Sequence, residues 1–157
     1  GVNMGDVIVD RDELYGNDLI RDHNRNPRNS AKLNSPDLVA DAVNPFCGDE
    51  AHFQINLDGQ GRVSEVGYEG VGCAICRSAG SMLSEVIKGH TLEGVEEISG
   101  LFQDMMFGVE PSEEQGPLLG DLTSMTGVRA FPIRIKCALL AWSAIEDRIS
   151  EHQRRQP

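Results

Sequence analysis

A change of hydrophobic period between residues 50 and 87 sets the tightest limit on the fold. Ala51, Phe53, Ile55 and Leu57 alternate with His52, Gln54, Asn56 and Asp58, the two-residue period of a strand with one buried face. Asp58-Gly59-Gln60-Gly61 supplies a hairpin turn, and residues 62–69 return as a second strand. Val66 and Tyr68 share one face of that strand and Glu65 and Glu69 the other, while Val63 falls on the charged side. The period then lengthens. Ala79, Met82, Leu83, Val86 and Ile87 have the spacing of a buried helix face, in a helix expected to start at Cys73 or Ala74 and to stop at Gly89.

The flanking segments extend this pattern. Residues 12–24 read as a first helix, with Asp10 or Asp12 as its cap and Tyr15, Leu19 and His23 on one side. Pro27 ends it, a polar loop follows over 28–37, and 38–43 read as a short strand. Thr91 opens a helix whose stripe is Ile98, Leu101, Phe102, Met105 and Met106. An acidic loop spans 108–117, a short helix 118–126, and a last helix runs from about Arg134 to Glu151 with Ala138, Trp142, Ile145 and Ile149 on one face. The order predicts an α+β domain, a small antiparallel sheet of about three strands covered on one face by helices. The expected organisation is a flexible N-terminal segment at 1–11, one domain at 12–151, and a C-terminal tail at 152–157. Within the first segment Met4 is the expected natural start.

Composition narrows the function. Of 157 residues, 39% are hydrophobic and 25% charged, as in a soluble globular protein, and no apolar run is long enough to span a bilayer. The net charge of −11 argues against nucleic acid and against anionic membranes as partners. Residues 1–10 lack the pattern of an export signal, so a cytoplasmic protein is expected, and its four cysteines point to thiol or metal chemistry rather than disulfides.

Three of these cysteines fall at the ends of predicted elements. Cys47 and Asp49 lie two residues apart in the turn Asn44-Pro45-Phe46-Cys47-Gly48-Asp49; Cys73 follows Gly70-Val71-Gly72; Cys137 follows Pro132. Helix N-termini at Cys73 and Cys137, with Arg134 and Lys136 nearby, would favour the thiolate form. Three thiolates and a carboxylate suit tetrahedral Zn2+, and thiolates alone suit an iron–sulfur cluster. The long separations match no local zinc-finger spacing, so pattern alone leaves equal room for small buried thiols. Cys76 completes a solitary C-x-x-C with Cys73 and reads as a core-facing helix residue, able to compete as a ligand or to pair with Cys73 on oxidation. His23, His52, His90 and His152 are not expected to ligate. Arg134 could bond Asp49 or a sulfur species, or could be a surface charge at the helix start.

The turn Asn44–Asp49, the stretch Gly70-Val71-Gly72-Cys73-Ala74-Ile75, and Phe131-Pro132-Ile133-Arg134-Ile135-Lys136-Cys137-Ala138-Leu139-Leu140-Ala141-Trp142 resemble the three signature blocks of the U-type iron–sulfur assembly proteins. That family includes IscU, the N-terminal domain of NifU, and SufU. Asp22-His23-Asn24-Arg25-Asn26-Pro27-Arg28-Asn29 resembles the end of the family's first helix. The likeness runs in order over about residues 12–150. Lys136 stands where IscU-type scaffolds carry histidine, Phe131–Lys136 replaces their chaperone-binding Leu-Pro-Pro-Val-Lys, and about 100–120 resembles the insertion of the SufU branch. Cys76 departs from that branch, which has a small hydroxyl residue there.

The resemblance implies Zn2+ held by Cys47, Asp49, Cys73 and Cys137, and a SufS-type cysteine desulfurase, carrying pyridoxal phosphate, as partner. It implies that Cys47 accepts persulfide sulfur, with Arg134 in support, in a zinc-dependent sulfurtransferase that stimulates the desulfurase. The alternative it leaves open is a noncatalytic scaffold on which Cys47, Cys73 and Cys137 carry a transient [2Fe–2S] or [4Fe–4S] cluster for transfer to downstream proteins. A structural zinc domain that only binds partners is a third reading.

Overall fold

The computed structural model describes residues 17–155. The expected N-terminal segment, Tyr15, and the caps Asp10 and Asp12 lie outside them. Helix α1, Asp18–Arg25, is capped by Asn17, whose side chain accepts the Leu19 and Ile20 amides. It buries Ile20 and His23 and leaves Leu19 40% exposed, so of the Leu19–His23 row read from sequence only His23 is buried. Asn26-Pro27 ends it.

Strands β1 (Leu38–Asn44), β2 (Asp49–Leu57) and β3 (Val63–Val71) form one antiparallel sheet in the order β1-β2-β3. The alternation of β2 is as the sequence predicts, with Ala51, Phe53 and Ile55 buried. Asp49 belongs to the same parity, so the last inward position of β2 is a carboxylate. Val63 is also buried, because β3 carries a bulge. Asn56 pairs with Glu65 and Leu57 with Val63, so Ser64 is an extra residue and Val63 returns to the core face. The Ser64 hydroxyl donates to the Asn56 carbonyl across the irregularity.

Helix α2, Ala74–Val86, lies on this sheet with Cys73 as its N-cap. Its packing is fixed by Tyr68, whose ring is 4.8 Å from that of Phe53. The Tyr68 hydroxyl lies 3.4 Å from the Cys76 carbonyl and 3.2 Å from that of Arg77, and donates toward both. A Cβ on Gly70 or on Gly80 would fall 2.1 or 2.2 Å from Tyr68, so both glycines make room for one aromatic side chain. That is why a glycine stands in the middle of a buried helix.

Helix α3, Leu92–Met106, is capped by Thr91, as expected, through the Gly94 amide. The single short helix expected over 118–126 is instead a four-residue helix α4, Gly116–Leu119, followed by a 3₁₀ segment, Gly120–Ala130. The last helix, α5, starts two residues earlier than expected, at Pro132, where a missing amide costs nothing, and runs on to Arg154 through part of the expected tail. Trp142 packs on Phe102, and the core fills the space between the helices and the inner face of the sheet. The domain is α+β, as predicted. Among the described residues, no helix is long and apolar enough to cross a membrane.

Candidate metal centre

Four elements meet at one end of the sheet. The turn between β1 and β2 presents Cys47, with Gly48 at φ +72°, an angle that other residues resist. The start of β2 turns Asp49 under the helices, the N-cap of α2 brings Cys73, and the second turn of α5 brings Cys137. Asp49 is the hub. Cys47 Sγ lies 3.2 Å from its Oδ2, Cys73 Sγ lies 3.8 Å from the same oxygen, and the Cys73 amide donates to Oδ1 at 2.9 Å. One sulfur or oxygen atom each of Cys47, Asp49 and Cys137 lies within 4.8 Å of the other two. Cys73 stands just outside that compact group, its sulfur turned toward its own helix to accept the Cys76 amide at 3.5 Å. Arg134 Nη1 is 4.0 Å from Cys137 Sγ, which places the guanidinium beside this centre.

Gly72 makes the hub possible. Its φ is +119°, and a Cβ there would fall 2.0 Å from Asp49 Oδ1. Only a bare backbone lets the carboxylate close on the Cys73 amide.

Burial differs sharply among these groups. Cys47 is exposed, Cys73 partly so, and Asp49 and Cys137 are each 1% exposed. Burial opposes ionisation of Asp49, but hydrogen bonds from Cys137, the Cys73 amide, Cys47 and Cys73 outweigh it and hold the carboxyl below its ordinary value. Burial pushes the Cys137 thiol up, and its hydrogen bond to Asp49 adds to the effect. The sequence expectation that a helix terminus would favour the Cys137 thiolate is therefore not met in this buried position. Helix α5 starts five residues before it, and the dipole effect fades within the first turn. The donor set fits a divalent cation on this observation, since a buried ionised carboxylate and converging thiols gain from a charge that would keep Cys137 deprotonated.

The other sequence candidates fall elsewhere. Cys76 is fully buried in the first turn of α2, its sulfur 3.9 Å from the Glu50 carbonyl and its pKa pushed up to about 12 by desolvation and the neighbouring acids, as suits a core-facing thiol. His23 bonds Ser81 and Asp121 with its two nitrogens, and His52 bonds Asp41 and Glu50. His90 joins α2 to α3 and His152 lies in the last turn of α5. Sequence reasoning missed the rim of the site. Phe46 is 98% exposed and Ile133 77%, and with Asn44, Cys47, Pro132 and Lys136 they line a cleft of about 430 Å³ beside the exposed Cys47 thiol. Two large apolar residues flanking cysteines in a turn and at a helix start were the available signal.

Residues 15–138 match the NifU-like N terminal domain, and the chain belongs to that family of iron–sulfur cluster assembly domains. Within it, the chain is 40% identical over 142 residues to the zinc-dependent sulfurtransferase SufU of Bacillus subtilis, covering 90% of this chain and 93% of that one. It is 29% identical to the iron–sulfur cluster assembly scaffold protein IscU of Streptococcus pyogenes, covering 88% of this chain and 84% of that one. The crystal structure of FiSufU of Fervidobacterium islandicum, assigned as a scaffold for the SUF system, superposes with a TM-score of 0.79 at 28% identity, over 89% of this chain and 99% of that one. The family and fold expected from the signature blocks are thus borne out.

Proposed function

We propose that this protein is a zinc-dependent sulfur acceptor of iron–sulfur cluster assembly, that Cys47, Asp49, Cys73 and Cys137 hold the metal, and that Cys47 takes sulfur from a SufS-type cysteine desulfurase. The observation that carries the reading is the convergence of three thiols on one buried carboxylate, with one thiol alone exposed. A bound Zn2+ would supply charge that keeps coordinated thiols ionised at neutral pH.

The residues divide the work by mobility. Cys73 and Cys137 sit on helices, and Asp49 on a strand, so they are fixed. Cys47 sits on a turn beside Gly48 and faces solvent. Its thiolate attacks the terminal sulfur of the partner's persulfide. A sulfur–sulfur bond forms at Cys47 Sγ, the partner's sulfur–sulfur bond breaks, and the partner cysteine leaves as a thiolate. The exposed Phe46 and Ile133 offer apolar contact area around that thiol, where a docked partner would exclude water.

The scaffold reading draws on the same thiols and on the IscU relatives. Lys136, where the histidine of IscU-type proteins would stand, weighs against it. Metal analysis of the purified protein, with sulfide release by the desulfurase measured in its presence and absence, separates the two. About one zinc per chain and Cys47-dependent stimulation is the expected result. A brown protein that donates a cluster and leaves desulfurase turnover unchanged would establish the scaffold role instead.

A further inference from the structure

The cleft beside Cys47 holds one charged side chain among the described residues. Lys136 lines it together with Asn44, Phe46, Pro132 and Ile133, which carry no charge. Pro132, Ile133 and Lys136 share one side of the first turns of α5. Cys137, the next residue, turns inward and is 1% exposed. Lys136 is therefore held beside the metal centre but outside its ligand set. It is exposed, and it forms no salt bridge with a described residue. Its charge runs against its surroundings. The chain has a net charge of −11, and the Asp49 carboxylate lies 3.2 Å from Cys47 Sγ. An anion approaching Cys47 is repelled by both.

We propose that Lys136 is the residue that receives anionic sulfur at Cys47. This rests on the sulfur-acceptor reading and gives it a donor class, persulfides whose terminal sulfur is ionised. In the transfer the Cys47 thiolate attacks that terminal sulfur. A bond forms from it to Cys47 Sγ, the donor's sulfur–sulfur bond breaks, and the donor's inner sulfur leaves as a thiolate. Two anions enter and two leave, no proton is exchanged, and no outside oxidant or reductant takes part. The like charges must still come together, and a cation beside them reduces their repulsion. The transfer also moves the charge at Cys47. It begins on Sγ and ends on the outer sulfur, about 2 Å away across the new bond. The buried Asp49 occupies the inner side of Sγ, so the outer sulfur extends into the cleft that Lys136 lines. Negative charge thus leaves the neighbourhood of a carboxylate for that of an ammonium. Phe46, Pro132 and Ile133 give the cleft apolar walls, and a partner seated on them strengthens the attraction by excluding water.

The test uses the full-length, zinc-loaded chain beside Lys136→Gln, Lys136→Glu and Lys136→Arg, each checked for zinc content and thermal melting. Cys47 is first alkylated with iodoacetate, an anion, and with neutral iodoacetamide, and its peptide is followed by mass spectrometry. The ratio of the two rates reports the charge beside the sulfur, because a change in the thiol's ionisation or exposure moves both rates alike. The ratio is expected to fall by about threefold in Lys136→Gln and about tenfold in Lys136→Glu, and to be kept in Lys136→Arg. High salt should shrink these differences. Single-turnover sulfur uptake on Cys47 from a low-molecular-weight alkyl persulfide, with no desulfurase present, should follow the same order. An unchanged ratio in all three variants, or uptake that falls while the ratio holds, would overturn the assignment. Equal uptake by all four chains overturns it and leaves the acceptor reading standing, whereas an unsubstituted chain that takes no sulfur on Cys47 overturns both.

Discussion

Helix α2 carries two polar clusters, and they are built on opposite principles. At its N-terminus Cys73 joins Cys47, Asp49 and Cys137 around one carboxylate. Two turns further on, the buried Ser81 bonds His23, whose other nitrogen meets Asp121. By residue type the second cluster looks like a nucleophile, a base and an acid. It is closed, however. The Ser81 hydroxyl accepts the Arg28 amide and lies 2.8 Å from His23 Nδ1, and His23 spans from α2 to the 3₁₀ segment. Donors and acceptors alternate, and the cluster ties three segments together. The first cluster gathers groups that repel one another once ionised. One is an adhesive, the other a receptor for positive charge.

Substitutions should separate the two, in descending order of effect. Asp49→Asn removes the shared charge and should lower zinc affinity by on the order of a hundredfold or more while leaving Cys47 in place, read by competition with a chromophoric chelator. His23→Ala should cost about 2–4 kcal/mol of stability by leaving a cavity at a buried ring and removing its bonds to Ser81 and Asp121, read by denaturant unfolding. Its zinc affinity should stay within about twofold, and a large loss would mean that the clusters are coupled. Gly72→Ala puts a methyl group where Asp49 Oδ1 lies and strains a φ of +119°. It should do both kinds of damage at once, destabilising by about 1–3 kcal/mol and weakening the metal site.

A third polar group sharpens the contrast from the weak end. His52 lies between Asp41 and Glu50 on the outer face of the sheet, at 2.7 and 3.0 Å. The Asp41 hydrogen bond raises its pKa above the ordinary value, against a desolvation that lowers it, with Glu50 adding to the rise. A raised folded pKa gives stability present below the unfolded value of about 6.5 and lost as pH rises through the folded one. His52→Gln should therefore melt below the parent at acidic pH, and the gap should close above neutrality. Solvent screening limits it to about 0.2–1 kcal/mol.

What the sequence made legible follows the range of the interactions. The hairpin, the α2 stripe and the Thr91 cap are local patterns, and each appears where its residues predict it. Val63 was misplaced by one face because a bulge leaves no mark in a simple alternation. The 3₁₀ segment was read as helix because its turns are set by distant packing: it has no side-chain cap, and Leu122, Met125 and Val128 are buried against α2, α3 and α5. At the site, the three cysteines and Asp49 were legible only as motifs, since sequence distance says nothing of convergence. Spacing also could not tell that Cys137 is buried and pushed toward protonation, or that Tyr68 claims the space of Gly70 and Gly80.

The central claim is that Cys47 is the thiol that receives sulfur at this centre. The most direct test incubates the zinc-loaded protein with its desulfurase and labelled cysteine, traps thiols within seconds, and maps the label by peptide mass spectrometry. The account predicts one added sulfur on the peptide bearing Cys47 before label appears on Cys73 or as sulfide, and no uptake by Cys47→Ala. First appearance on Cys73 or Cys137, or undiminished uptake by Cys47→Ala, would contradict it.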